Sequence, residues 1–139
     1  MLGARANING AGSWRENTLP FAKISVSTLM PGGGEPVLAA ALLDSGASIG
    51  LVQYDFLATM PEMPEIRKTR TRASAFTGTP INIIGITTLK IDFGIGVPAV
   101  IDLYVHDGKT EPKILLSWRD FSKIGLILDA KNNTAQIQG

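Results

Sequence analysis

A single carboxylate interrupts an aliphatic run in the first half of the chain. Residues 38–52 read LAAALLDSGASIGLV, so Asp44 follows Leu43 directly and apolar residues resume at Ile49. Asp-Ser-Gly is a favourable turn tripeptide, and an ordinary solvated turn is one interpretation of it. A carboxylate with apolar neighbours on both sides is costly, however, unless it is paired or protonated. Two such groups that face each other can share one proton, which lowers this cost and places a general base beside a general acid.

The composition excludes most other catalytic chemistries. The chain of 139 residues has no cysteine, which rules out disulfides, thiol catalysis and cysteine-based metal sites and fits a reducing compartment such as the cytoplasm. His106 is the only histidine and precedes a predicted turn, so we expect it at the surface. A Ser-His-Asp triad or a histidine-rich zinc site then has almost nothing to build on. We therefore predict no metal and no cofactor.

The charge balance gives no reason to expect nucleic acid or an anionic membrane as a partner. The chain carries 13 basic and 12 acidic residues, a formal net charge of +1. The basic cluster RKTRTR at residues 67–72 is predicted to be a solvated edge. No stretch approaches the ~20 apolar residues of a membrane-spanning helix, and the N-terminus lacks the apolar core of a signal peptide.

Strand patterns dominate from Pro20 onward. Residues 1–19 are rich in Gly, Asn and Ala without a sustained period, so we expect a flexible tail or linker there. The alternating FAKISVSTLM, the turn PGGGEP and the aliphatic VLAAALL predict a hairpin over 21–43 that leads into Asp44. QYDFLATM then predicts one or two helical turns.

The second half of the chain predicts a long hairpin, further strands, a helix and a closing hairpin. RTRASAF, TGTP and INIIGITTLKIDF form the long hairpin, with Gly85 as a bend or bulge. SWRDFSKIG predicts a helix that ends at its glycine, and LILDAKNNTAQIQ predicts a hairpin turned at Asn132 and Asn133. The expected fold class is therefore all-β, in one domain over residues 20–139.

Two apolar pairs precede polar turns in the two halves of the chain. Leu42–Leu43 leads into Asp44, and Leu115–Leu116 leads into Ser117 before the predicted helix. A likeness between two short apolar strands is usually chance. It gains weight only in a fold with two related halves.

Two segments resemble a known family. LLDSGAS resembles the active-site motif of retropepsin-type aspartic proteases, in which two apolar residues precede Asp-Thr/Ser-Gly-Ala. ILLSWRDFSKIGLILDAKNNTAQI is similar to that family's closing segment, an aliphatic strand, Gly-Arg-Asp before a helix, and a hairpin with Asn-Asn-Thr near its turn. The two motifs are most similar to those of proteases of LTR retrotransposons and of cellular genes derived from them. The resemblance covers about residues 20–139.

The resemblance implies a small closed β-barrel subunit with one short C-terminal helix, active as a homodimer because each chain has one DSG motif. Asp44 of each subunit would hold the water that hydrolyses a peptide or polyprotein substrate. Ser45 would brace the two active-site loops across the dimer axis, and Gly46 would permit close approach of backbone. Ala47 matches the retroviral type rather than the pepsin type.

The resemblance also implies a substrate-binding flap at the hairpin over 71–84. We expect its tip at Phe76, Thr77, Gly78 and Thr79, where glycine allows opening and backbone amides reach the substrate. An ordinary surface hairpin is the alternative interpretation of the same residues.

The segment before the C-terminal helix both matches the family and departs from it. Arg119 and Asp120 match a structural Arg-Asp pair. Ser117 stands where the family usually has glycine, and Trp118 is inserted or substituted before the arginine. Ser48 replaces an acid found in many retroviral enzymes, so Arg119 is expected to lack its usual partner.

In the family, terminal strands from both subunits interdigitate in one sheet. The candidates in this chain are PFAKISVS at 20–27 and NTAQIQ at 133–138, where Ala135 and Ile137 share one face. Two other functions stay open from the sequence. One is a retropepsin-like fold kept as a dimerisation or peptide-binding module without catalysis. The other is an unrelated small β-barrel binding module in which Asp44 is a plain turn residue.

Overall fold

Strands account for most of the structure, a computed structural model that describes residues 5–7, 20–32, 34–75, 77–132 and 134–138. In chain order its elements are β1 (Arg5–Asn7), β2 (Phe21–Ser27), β3 (Val37–Leu43), β4 (Leu51–Gln53), α1 (Tyr54–Leu57), β5 (Ala73–Ser74), β6 (Pro80–Ile81), β7 (Ile83–Asp92), β8 (Ala99–His106), β9 (Ile114–Leu116), α2 (Trp118–Ile124), β10 (Leu126–Asp129) and β11 (Thr134–Gln138). The predicted all-β domain with a short C-terminal helix is confirmed, and α1 is the helical turn expected in QYDFLATM. Within the described residues, neither helix has the length and apolarity that crossing a membrane requires.

A closed barrel forms the centre of the molecule, with its strands in the order β2-β3-β9-β4-β8-β7. Buried side chains alternate with more exposed ones along β7 and β8. Leu89, Ile91 and Leu103 point inward and are fully buried. Burial of an aliphatic side chain of this size stabilises the fold by roughly 2 kcal/mol, so packing inside the barrel supplies much of what holds the sheet closed.

The two halves of the chain meet in the barrel through β3 and β9. These strands pair in parallel, with Leu42 beside Leu115 and Leu43 beside Leu116. The two apolar pairs noted in the sequence are thus neighbours in register. Because parallel strands end at the same edge, the turns that follow them are also neighbours.

A second, three-stranded sheet has the order β1-β11-β10. The pairing of β10 with β11 confirms the closing hairpin, although Asn133, one of its two predicted turn residues, lies outside the described residues. β1 pairs with the other edge of β11. Arg5–Asn7, which lie within the predicted tail, thus form a strand at an edge where β11 offers free backbone groups. The other residues of the segment 1–19 lie outside the described residues.

The expectation that residues 20–27 form a strand at the dimer interface is not supported. β2 pairs with β3 on one side and with β7 on the other, so both of its edges are used inside the barrel. Its alternate residues Ala22, Ile24 and Val26 are buried in the same chain, which accounts for the alternation in the sequence. The pairing of β2 with β3 confirms the hairpin predicted over 21–43.

His106 is half-buried at the end of β8, not at the open surface as expected. Its Nδ1 accepts a hydrogen bond from Gly108 N at 3.1 Å. Burial lowers the pKa of His106, and the nearby charge of Asp107 partly opposes this. The turn after the histidine folds back over the ring, and this contact was not visible in the sequence.

Another segment packs closely beside β7 near a bulge in that strand. The pairing of β7 with β8 shifts register between Ile83 and Gly85, which confirms the predicted irregularity. Arg67 forms an antiparallel bridge with Ile86, in which the two residues exchange backbone hydrogen bonds of 2.8 and 2.9 Å. A β-carbon at Gly85 would lie 2.5 Å from Arg67 O and 2.6 Å from Ile66 Cγ2. Only glycine leaves room for this close approach.

Replacing Gly85 with alanine should therefore destabilise the fold by about 2–3 kcal/mol, because the carbonyl it would strike is held by backbone hydrogen bonds. Unfolding in denaturant, followed by circular dichroism, measures the change. Lys90→Ala, at an exposed position of the same strand, is the control and should alter stability by less than about 0.5 kcal/mol. Equal stability of the two variants would show that the segment at Arg67 shifts away from residue 85 without a cost in stability.

Candidate active site

Asp44 begins a tight turn directly after β3. Its backbone N–H donates to Leu116 O at 2.9 Å, and its own carbonyl accepts from Ala47 N at 3.1 Å. One carboxylate oxygen, Oδ1, accepts the Gly46 N–H at 3.0 Å. The residue is half-buried. The carboxylate is thus oriented by its own turn while still open to a ligand.

The three residues after Asp44 differ in exposure. Ser45 and Gly46 are exposed, whereas Ala47 is half-buried. Ala47 O accepts the Trp118 N–H at 3.1 Å, so both ends of the DSGA turn are bonded to the segment where β9 passes into α2. A β-carbon at Gly46 would lie 3.3 Å from Asp44 Oδ1, so a larger residue there would crowd the carboxylate.

A buried capping box fixes the start of α2. Ser117 N and Oγ donate to Asp120 Oδ2 at 2.8 and 2.9 Å, and Asp120 N donates back to Ser117 Oγ at 3.4 Å. Burial raises the pKa of the Asp120 carboxyl, while the hydrogen bonds from Ser117 and the charges of Lys123 and Arg119 oppose the rise. A β-carbon at Gly50 would overlap the Asp120 carboxylate. The serine that departs from the family pattern therefore caps the helix, and the turn is intact.

Arg119 and Asp120, expected to act together, have different surroundings. Asp120 is buried, but Arg119 is exposed and takes part in none of the ion pairs found in the described part of the chain. Ser48, where many retroviral enzymes have an acid, is also exposed. The side chain of Trp118 is exposed and its ring centroid lies 6.4 Å from that of Phe121.

A cavity of about 750 Å³ lies between the DSGA turn and the hairpin formed by β5 and β6. The turn side is lined by Asp44, Gly46, Ala47, Ser48, Ile49, Leu51 and Leu115, and the hairpin side by Arg72, Ala73, Ser74, Ala75 and Ile81. Most of these residues are small or aliphatic, as is common in pockets that bind ligands. Among the lining residues, Asp44 is the single acid and Arg72 the single base. One chain therefore provides one carboxylate to this space.

The predicted flap is shorter than the sequence suggested, since its paired residues are limited to Ala73–Ser74 and Pro80–Ile81. Ala75 N donates to Thr79 O, and Gly78 N donates to Ala75 O, both at 2.8 Å. The hydroxyls of Thr77 and Thr79 are 3.1 Å apart. These contacts put Thr77, Gly78 and Thr79 at the tip of the hairpin, whereas Phe76 lies outside the described residues.

The sequence alone did not assign Arg72 and several aliphatic residues of the cavity to the site. The sequence predicts Arg72 as part of a solvated basic cluster, although the hairpin predicted over 71–84 also includes this residue. Ile49 and Leu51 were seen only as resumed strand residues. Leu115 reaches the cavity because β9 lies between β3 and β4, a pairing that no local pattern reveals.

No protein-family model and no curated protein sequence matches the chain significantly. Solved structures do match its fold. The retroviral protease-like domain of Ddi1 from Leishmania major superposes with a TM-score of 0.65 at 16% identity, over 88% of this chain and 90% of that one. EIAV protease complexed with the inhibitor HBY-793 has a TM-score of 0.60 at 15% identity, over 81% of this chain and 94% of that one.

A retropepsin-like aspartic protease from Rickettsia conorii matches with a TM-score of 0.56 at 16% identity, over 97% of this chain and 90% of that one. Each likeness extends over most of both chains, so the interpretation of the sequence as an unrelated small β-barrel is wrong. The chain has the retropepsin fold.

Proposed function

We propose that the chain is an aspartic endopeptidase of the retropepsin type that acts as a homodimer. The observation that carries this proposal is the position of Asp44, an oriented and accessible carboxylate in the wall of a peptide-sized cavity beneath a hairpin. Peptide hydrolysis by a shared proton needs two carboxylates, and the cavity of one chain contains one. A second copy of the chain supplies the other.

In the proposed mechanism, the two Asp44 carboxyl groups share one proton and hold a water molecule between them. The ionised carboxylate takes a proton from the water as its oxygen attacks the scissile carbonyl carbon. The protonated partner donates a hydrogen bond to the carbonyl oxygen, and the tetrahedral diol forms. Proton transfer to the nitrogen then lets the amine leave as the C–N bond breaks, so the water supplies the hydroxyl of the new carboxyl group and one hydrogen of the new amine.

The local structure supports each requirement of this mechanism. The Gly46 N–H fixes the orientation of Asp44, and the bonds to Leu116 O and from Trp118 N hold the turn in place. Ser45 is exposed, and its hydroxyl makes no hydrogen bond within the described part of the chain, which leaves it available to brace the same residue of a partner.

The three-stranded sheet limits how a partner can add a terminal strand. Both edges of β11 are occupied, so a strand of the second copy would pair at the outer edge of β1 or of β10. Ala135 in β11 is fully buried. Deleting residues 134–139 would therefore damage the core as well as the sheet edge, and tests of the dimer are better made with intact chains.

The proposed substrate is a polyprotein or another extended peptide, as implied by the likeness to proteases of retroelements. The absence of cysteine favours a reducing compartment such as the cytoplasm. A domesticated module that binds peptides without cleaving them is the second candidate, and hydrolysis distinguishes the two.

Asp44→Asn should lower kcat for peptide cleavage by about 10³-fold or more, because the amide keeps the shape of the carboxylate but cannot exchange the proton. Turnover of a peptide library measures the loss, and circular dichroism checks the fold. Asp92→Asn is a matched control, since Asp92 Oδ1 accepts Gly94 N in the same type of turn at 2.7 Å. Undiminished turnover in Asp44→Asn would contradict the protease assignment. Tight binding of a statine-type peptide by a wild-type chain that cleaves nothing would favour the non-catalytic module.

Mixing intact chains tests whether two Asp44 residues act together. If they do, a heterodimer of wild-type and Asp44→Asn chains is inactive, and activity per wild-type chain should fall to about half in an equal mixture at concentrations where dimers form. Sedimentation over the same concentrations shows the dimer directly. Activity per wild-type chain that does not change with added variant would exclude a shared catalytic pair.

Gly78→Val should slow turnover and weaken binding of a statine-type inhibitor. Gly78 has φ +87°, which a β-branched residue strongly disfavours, although a β-carbon there would meet no other atom. Gly96→Val is a close control, because Gly96 has the same φ and equally open surroundings in the loop between β7 and β8. If both variants cleave peptide like the wild type, the hairpin is not the flap.

A further inference from the structure

Three cationic side chains form a row along one segment, and the last of them lines the cavity. Along residues 68–72, Lys68, Arg70 and Arg72 are exposed, while Thr69 and Thr71 are half-buried. Such alternation is typical of an extended chain, in which every second side chain lies on the same side. The row ends at Arg72, which lines the cavity together with Asp44.

The segment that bears these cations is anchored. Thr71 Oγ1 donates to Tyr104 OH at 3.3 Å, and the hydroxyls of Thr69 and Thr71 are bonded at 3.1 Å. At its start, the backbone of Arg67 is bonded to Ile86 in β7. The segment that carries the cations is therefore held in place before a ligand binds, and this lowers the entropy lost on binding.

Within the described ranges, none of these three charges forms an ion pair. By contrast, Arg67 pairs with Asp102 at 3.7 Å. Arg72 and Asp44 share the cavity lining without forming an ion pair, so the proposed catalytic carboxylate is not neutralised. A closing peptide would desolvate Arg72 among aliphatic neighbours, which is unfavourable unless the peptide brings an opposite charge.

From this arrangement we infer that Arg72 determines specificity, selecting peptides that carry an acidic side chain close to apolar residues at the scissile bond. The inference rests on the proposed protease function and adds a substrate class to it. In a two-fold dimer, one Arg72 lies on each side of the bond between the Asp44 pair, so the acidic preference extends to both sides of that bond.

The test measures binding separately from hydrolysis. Each peptide has a central statine-type unit and one Glu, placed at one of the three positions on either side of that unit. Each is paired with a version that has Gln in place of the Glu. Fluorescence anisotropy gives Kd for wild type, Arg72→Ala, Arg72→Glu and Lys23→Glu, with circular dichroism for each fold. Lys23 is an exposed cation on β2, on a different cavity, and controls for net charge.

The wild type should bind the best Glu peptide on each side about fivefold tighter than its Gln version, and added salt should weaken this preference. Arg72→Ala should abolish the preference, Arg72→Glu should reverse it so that the Gln version binds tighter, and Lys23→Glu should leave it unchanged. With cleavable versions of the peptides, the effect should appear mainly in KM.

Equal Kd values for Glu and Gln peptides, or an equal loss of the preference in Lys23→Glu, would overturn the inference. A single-stranded oligonucleotide that binds through Arg72 more tightly than the peptides would also overturn it, because the row would then be a nucleic-acid site. Cleavage without acidic preference refutes the role of Arg72 and leaves the protease proposal standing. Acid-selective binding without cleavage refutes the protease and supports the role of Arg72 in binding.

Discussion

The position of Asp44 depends on backbone hydrogen bonds between two segments that are distant in the sequence. Asp44 N donates to Leu116 O, and Trp118 N donates to Ala47 O, so the DSGA turn and the start of α2 hold each other. Each bond adds only about 1 kcal/mol of net stability. Their effect is mainly geometric, because the parallel register of β3 and β9 brings both turns to the same edge and the two bonds then fix the carboxylate. The buried capping box of Ser117 and Asp120 keeps the second segment in the shape that these bonds require.

Local patterns predicted the parts of the structure that a few neighbouring residues determine. The hairpin over 21–43, the closing hairpin, the helix with its glycine end and the irregularity at Gly85 follow from alternation and from turn residues. Asp44 was conspicuous because a carboxylate rarely interrupts an aliphatic run. The Ser-x-x-Asp pattern of Ser117 and Asp120 also indicates a helix cap, although serine departs from the glycine that is usual there in the family.

The predictions failed for segments whose packing or pairing partner in the fold is not specified by a local pattern. An alternating strand such as β2 has one apolar face whether a barrel or a second subunit covers it, so residues 20–27 could not be assigned to either. Arg5–Asn7 lie in a stretch without a sustained period, so only their pairing with β11 identifies them as a strand. Arg72 was grouped with a solvated edge because its charge is visible in the sequence, whereas the cavity it enters is formed by strands from both halves of the chain.

The two sides of the cavity differ in how firmly they are held in the fold. On one side, Asp44 follows a strand paired on both edges, and Leu43 beside it is buried. On the other, β5 and β6 contribute two residues each, and the tip at Thr77, Gly78 and Thr79 is exposed. Few buried contacts and short pairing allow local opening at low cost in free energy. The proposed hydrolysis of long peptides would need this contrast, because the substrate would enter when the hairpin opens, while proton transfer would require carboxylates that do not move.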